Sequence, residues 1–169
     1  MKIKTALILC AGFGKRVQPI TDSLPKPLIV YKNETLLENT INFLIKIKIE
    51  KIKINVFYLK EKIIDFIYSK NFPLNIEIVD DGETILGTGG GTLNLINKSN
   101  EDDVLVINPD TIWNDNYINS IDAMEKIYFE RKMKNILLIV NNSTCFDKRF
   151  NGDFEIKNII LLKEQLNNF

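Results

Sequence analysis

Thr5-Ala6-Leu7-Ile8-Leu9-Cys10-Ala11-Gly12-Phe13-Gly14-Lys15-Arg16 is the stretch that decides how the chain folds. Thr5 to Leu9 is a short apolar run of the kind that forms a buried strand. It passes directly into a loop with two glycines and two cations. Glycine lets backbone bend tightly and approach a ligand with no Cβ in the way. The free N–H groups of such a loop can cradle phosphate, and Arg16 can grip phosphate oxygens bidentately. A strand feeding a glycine-rich, cationic loop reads as the opening of an α/β unit.

The same alternation continues outward from this stretch. Glu34 to about Ile47 carries apolar residues at helical spacing, and Lys51 to Tyr58 alternates as a strand through Ile52, Ile54 and Val56. Glu61–Tyr68 reads as a helix, Ile76–Val79 as a strand, Gly89–Ile96 as a short helix and Val104–Ile107 as a strand. Asn116–Arg131 reads as a helix and Ile136–Val140 as a strand. The expected fold class is α/β: a Rossmann-like, three-layer α/β/α arrangement around a mostly parallel sheet. Ligands of such sheets bind at the carboxyl ends of the strands, which directs attention to the loops after Leu9, Val79 and Ile107.

Composition narrows the function. The 169 residues fit a single domain over 1–169. Lys+Arg and Asp+Glu are equal at 22 each, so the chain has none of the basic excess that nonspecific nucleic-acid binding requires. There is no histidine, which removes His-based general bases and Ser-His triads. Cys10 and Cys145 lack CxxC spacing and read as free thiols of a reducing, cytoplasmic environment. The apolar run from Ala6 to Ala11 is too short to span a bilayer, so no membrane role is expected.

Beyond the first loop, Pro25-Lys26-Pro27 fixes a lysine between two residues of restricted φ, which makes Lys26 a pre-positioned charge. Two better-known phosphate motifs fail. Val17 stands where a dinucleotide fingerprint needs its third glycine, and Gly14-Lys15-Arg16 lacks the Ser or Thr of a P-loop. Gly12 and Gly14 alone would suit an ordinary turn; the cations Lys15, Arg16 and Lys26 favour an anion site. Leu9 to Arg16, then Pro19-Ile20-Thr21, then Pro25-Lys26-Pro27-Leu28 resembles the signature of the sugar-1-phosphate nucleotidyltransferases, the NDP-sugar pyrophosphorylases. Those enzymes show Leu-Ala-Ala-Gly-x-Gly-x-Arg, Pro-Leu-Thr and Pro-Lys-Pro-Leu, with Cys10 here replacing an alanine.

The resemblance extends through the other two loops. Asp80-Asp81-Gly82-Glu83 precedes Leu86-Gly87-Thr88-Gly89-Gly90-Gly91, which matches the segment that the family lays against the nucleotide base. It implies that Gly87 and Thr88 line the base pocket and that Asp81 or Glu83 accepts a base N–H, from uracil or guanine. After Ile107, Asn108-Pro109-Asp110 stands where the family has a Gly-Asp pair, and the resemblance makes Asp110 the Mg²⁺ ligand. The implied nucleotide-binding set is Leu9, Ala11, Gly12, Gly14, Lys15, Arg16, Lys26, Asp81, Gly87 and Thr88. The implied catalytic set is Arg16, Lys26 and Asp110. Trp113 reads as packing.

The implied reaction moves a nucleoside monophosphate, UMP or GMP, from a nucleoside triphosphate to a sugar-1-phosphate and releases pyrophosphate. Such phosphoryl chemistry rests on positioning and charge neutralisation rather than on a protein nucleophile. The Gly-Thr-Gly-Gly-Gly run, Asp110-Thr111-Ile112-Trp113 and Lys148–Phe154 are most similar to the N-acetylmuramate-1-phosphate uridylyltransferases of the cell wall. Mannose-1-phosphate and heptose-1-phosphate guanylyltransferases are near alternatives. The family pattern runs to about Phe154. Its sugar-binding part and second metal aspartate have no counterpart before Phe169, and Asp153 sits in the wrong motif. The chain therefore reads as stopping short of the sugar site, which leaves a second reading open: a nucleotide-binding module without catalysis. An unpaired sheet edge would favour homo-oligomers.

Overall fold

The computed structural model describes residues 2–139 and 141. It divides into two units, Met1–Ile136 and Leu137–Phe169. Cys145, Asp153, the Lys148–Phe154 segment and the tail after it lie outside the described residues.

In chain order the first unit runs β1 (Thr5–Leu9), β2 (Val30–Tyr31), β3 (Glu34–Thr35), α1 (Leu36–Lys46), β4 (Lys51–Val56), α2 (Lys60–Ser69), β5 (Asn75–Asp80), α3 (Gly87–Asn97), β6 (Leu105–Ile107) and α4 (Asn116–Glu130). Four strands form a parallel sheet in the order β5-β4-β1-β6. β2 and β3 make a separate antiparallel hairpin. The chain thus builds outward from β1 to β4 and β5, then returns to lay β6 on the other side of β1. This reversal leaves a crevice at the carboxyl ends of β1 and β6, where open α/β sheets hold ligands.

The strand pleat explains the two faces. Ala6 pairs with Ile52, and Ile52 with Ile76; Ile8 pairs with Ile54, and Ile54 with Ile78. These rows point to the face covered by α1, α2 and α4 through Leu37, Ile41, Leu44, Ile63 and Ile121. The alternate residues Leu7 and Val79 point the other way, onto Leu95 of α3. Helices on both faces make the three layers that the alternating sequence predicts. The second face is less apolar. Lys53 of β4 is buried there, and its ammonium reaches Glu77 at 2.6 Å and the Lys98 carbonyl at 2.5 Å.

Most element ends fall within two residues of the sequence expectation, and two differences have a physical reason. The helical spacing runs back to Glu34, yet α1 starts at Leu36. Thr35 is extended, with its hydroxyl capping the Glu38 N–H at 3.1 Å. The expected strand at Ile136–Val140 is absent: residues 136–139 join no strand, and Val140 lies outside the described residues. The run is apolar enough, but a strand needs a hydrogen-bonded neighbour, and Leu137, Leu138 and Ile139 remain exposed.

Candidate nucleotide site

The loop after β1 is wound into short 3-10 turns at Lys15–Val17, Ile20–Asp22 and Lys26–Leu28. Gly14 makes this winding possible. Its φ of +66° favours glycine, and a Cβ there would stand 2.8 Å from Thr21 Cγ2. The Thr21 hydroxyl in turn donates to the Gly14 carbonyl at 3.0 Å. The Tyr58 hydroxyl, after β4, donates to the Thr21 carbonyl at 2.9 Å. The Phe13 ring packs on Tyr58 with centroids 5.2 Å apart, and Lys15 Nζ lies 5.3 Å from the Phe13 centroid.

The loop after β6 is pinned from α1. Asn39 accepts the Trp113 N–H at 2.9 Å and donates to the Trp113 carbonyl at 3.2 Å. The Trp113 ring stacks on Phe43, with centroids 5.3 Å apart, and its Nε1 donates to the Asn108 carbonyl. Trp113 therefore serves packing, and it steadies the turn that presents Asp110.

Between these loops lies an open cavity of about 460 Å³. Its wall brings together Leu9, Ala11, Gly12, Gly14, Lys15, Arg16, Lys26, Gly87, Thr88 and Asp110. Lys26 Nζ meets Asp110 Oδ2 at 2.5 Å, with both side chains partly exposed. A Cβ at Gly12 would meet nothing within 4 Å, and Gly12 is part of the cavity wall. Cys10 also borders the cavity, but its thiol is buried. Burial pushes its pKa well above the usual thiol range, and the negative charge of Asp110 adds to the shift.

Asp81 stands apart from these residues. It does not line the cavity: it is buried, and its carboxylate accepts the Asn55 amide at 2.7 Å and the Asn94 amide at 2.9 Å. Two internal amides thus each engage one of its oxygens. Glu83 is absent from the wall as well. Asn55, which does line the wall, escaped sequence reading. The available signal was a polar residue near the carboxyl end of a strand whose neighbours Ile54 and Val56 are core.

A metal ion fits this donor set in one way. Among the described residues no group of three His, Cys, Asp and Glu side chains could hold one, and the cavity wall carries one acidic side chain, Asp110. Mg²⁺ commonly takes one or two carboxylates and fills its shell with phosphate oxygens and water. Asp110 suits an ion that arrives with a nucleotide, not one caged by protein alone.

The family model for nucleotidyl transferases matches residues 5–146. The chain belongs to the nucleotidyl transferase family. It is 26% identical over 153 residues to the N-acetylmuramate alpha-1-phosphate uridylyltransferase of Caulobacter vibrioides, covering 89% of this chain and 63% of that protein. It is 40% identical over 114 residues to the bifunctional protein GlmU of Methanocaldococcus jannaschii, covering 65% of this chain and 26% of that protein. The fold matches UDP-glucose pyrophosphorylase from Acinetobacter baumanii with a TM-score of 0.65 at 21% identity, over 77% of this chain and 54% of that one. The chain thus spans only part of the length of each of these relatives. Among the described residues, no helix is long and apolar enough to cross a membrane.

Proposed function

We propose that this nucleotidyl transferase chain carries the nucleotide half of a sugar-1-phosphate nucleotidyltransferase. The observation that carries the reading is the cavity at the sheet's switch point, whose wall brings Arg16, Lys26 and Asp110 together with Gly12 and Gly14. The proposed substrates are a nucleoside triphosphate bearing uracil or guanine and a sugar-1-phosphate, as the names of the relatives suggest. A cytoplasmic location follows from the need for nucleoside triphosphates. The uridylyltransferase relative points to cell-wall sugars.

In the proposed reaction a phosphate oxygen of the sugar-1-phosphate attacks the α-phosphorus of the triphosphate in line. The P–O bond to the β-phosphate breaks, and pyrophosphate leaves with the electron pair. The nucleophile is already an anion, so no general base is required. The protein's task is to orient two polyanions and neutralise their charge. Arg16, assisted by Lys15, faces the leaving pyrophosphate. Lys26, held by its flanking prolines, neutralises the reacting phosphates. Asp110 would hold Mg²⁺, which when bound supplies further neutralisation of the triphosphate.

Thermal unfolding with UTP, GTP, CTP, dTTP and ATP, each with and without Mg²⁺, tests the reading. A nucleotide at 100 times its Kd should stabilise the fold by about 2.7 kcal/mol. A Mg²⁺-dependent shift with UTP or GTP, lost in Asp110→Ala, supports it; no shift with any nucleotide would sink it. One observation favours a second reading, nucleotide binding without transfer: the cavity wall offers a single carboxylate among the described residues. Pyrophosphate release on adding a sugar-1-phosphate separates the two.

A further inference from the structure

β1 ends at Leu9, which pairs with Asn55 of β4. The next N–H, that of Cys10, donates to Asn55 Oδ1 at 2.9 Å. A side chain thus adds one rung to the ladder where the phosphate-facing loop begins. The other end of the Asn55 amide donates to Asp81 Oδ2 at 2.7 Å, and Asp81 Oδ1 accepts from Asn94 of α3 at 2.9 Å. The Asp81 N–H is tied to the Val56 carbonyl at 3.0 Å. α3 in turn begins with Gly87 and Thr88 on the opposite wall of the cavity. The helix makes room for this chain of bonds: a Cβ at Gly91 would stand 2.6 Å from Asn55 Nδ2.

Asn55 is 2% exposed and Asp81 8%. Apolar residues of similar shape could fill such positions, because satisfied buried polar groups add little net stability. What they add is direction, since hydrogen bonds at these distances fix orientation where apolar contacts do not. We propose that Asn55, backed by Asp81, is a positioning residue of the nucleotide site. It sets the spacing between the Ala11–Gly14 backbone and the Gly87–Thr88 turn, and so between the phosphate end and the base end of a bound nucleoside triphosphate. The inference rests on the nucleotide reading above.

The test compares wild type, Asn55→Asp, Asp81→Asn and the double variant N55D/D81N. Asn55→Asp places two carboxyl groups together and removes the donor to Asp81. In the double variant the bonds re-form with reversed polarity. The carboxylate introduced at position 55 accepts from the Cys10 N–H and from the new amide at 81, whose oxygen accepts from Asn94. Two quantities are measured well below each variant's melting temperature: amide exchange of residues 10–14 without nucleotide, and the Kd for UTP or GTP with Mg²⁺.

The expected result is faster exchange and a Kd raised about ten-fold in Asn55→Asp, the scale of one buried hydrogen bond to a charged group. The double variant should return close to wild type in both. Unchanged exchange and affinity in Asn55→Asp would overturn the positioning role alone, as would a folded double variant that fails to recover. A wild type that binds no nucleoside triphosphate would overturn the nucleotide reading, and this inference with it. If Asn55→Asp does not fold, Gly91→Ala carries the test. It pushes on the Asn55 amide from the helix and should raise Kd in the same way; unchanged affinity there would overturn the proposal.

Discussion

The ammonium of Lys26 and the carboxylate of Asp110 pair across the cavity, joining the proline-flanked turn to the loop after β6. Their side chains are 28% and 40% exposed, so the pair adds about 1 kcal/mol or less to stability. In the proposed reaction its electrostatic value to the bound triphosphate is larger. Lys26→Met is therefore expected to leave the melting temperature within a few degrees of wild type while lowering the rate of pyrophosphate release by about 100-fold or more. Differential scanning fluorimetry and a coupled phosphate assay on the same samples check this. A large fall in melting temperature would show the lysine to be structural.

The two loop glycines separate fold from ligand. Gly14→Ala sets a Cβ 2.8 Å from Thr21 Cγ2 and 3.2 Å from Lys26 Cβ at a φ of +66°. It should destabilise the protein by about 1–3 kcal/mol and abolish nucleotide binding. Gly12→Ala meets nothing within 4 Å and should leave stability unchanged within about 0.5 kcal/mol. If the proposed phosphates lie against the Gly12 backbone, nucleotide affinity should still fall, because the added methyl blocks that close approach. Urea unfolding paired with calorimetric titration distinguishes the two. Equal affinity in Gly12→Ala and wild type would place the phosphates elsewhere.

Cys10 makes the fold sensitive to alkali. The folded thiol keeps its proton far beyond the usual range, whereas the unfolded thiol ionises near about pH 8.5. Above that pH the native state binds more protons than the unfolded state, so stability falls as pH rises. The slope reaches at most about 1.4 kcal/mol per pH unit. Below about pH 7 the thiol has almost no effect on the pH dependence. Urea unfolding of wild type and Cys10→Ala from pH 7 to 10 checks the sign: the two curves should run parallel at neutral pH and diverge above pH 8.5, with the wild type falling faster. In native protein Cys10 should also resist iodoacetamide.

Thr5 offers a gain in stability. Its hydroxyl is buried at the start of β1 and, among the described residues, is the buried side-chain oxygen without a hydrogen-bond partner. Thr5→Val keeps the shape, retains β-propensity and removes the unpaired group. It should stabilise the protein by about 1 kcal/mol, visible as an upward shift in urea midpoint with unchanged m-value. A lower midpoint would mean that the hydroxyl has a partner in solution.

The strands were legible because β1 is a continuous apolar run and a period of two with isoleucine and valine marks β4 and β5. The cavity was legible because glycines, prolines and cations cluster within the chain itself, from Gly12 to Lys26 and from Gly87 to Gly91. The glycine run was only half understood. Backbone approach to a ligand was the natural reading, yet Gly91 is small to admit an asparagine amide from β4. The burial of Asp81 is hidden for the same reason: its partners Asn55 and Asn94 are brought to it by the β4–β5 pairing and by α3 packing. No local pattern records such contacts. Lys53 likewise reads as the solvent side of an alternating strand and is buried against Glu77 and α3.

The return of the chain to β1 has a kinetic meaning. Thr5 meets Lys51 when β4 docks, but Ala6 meets Leu105 only after roughly twice that length of chain has been laid down. Closing the longer loop carries the greater entropic cost, and contacts of long sequence separation slow folding. On a ribosome, β1, β4 and β5 leave the exit tunnel before β6, and Asp110 leaves it after β6. The nascent protein therefore owns the glycine-rich loop after β1 before it owns the wall that Asp110 supplies. If the cavity holds a nucleotide as proposed, that ligand can favour only molecules in which β6 has already joined the other three strands of the described sheet.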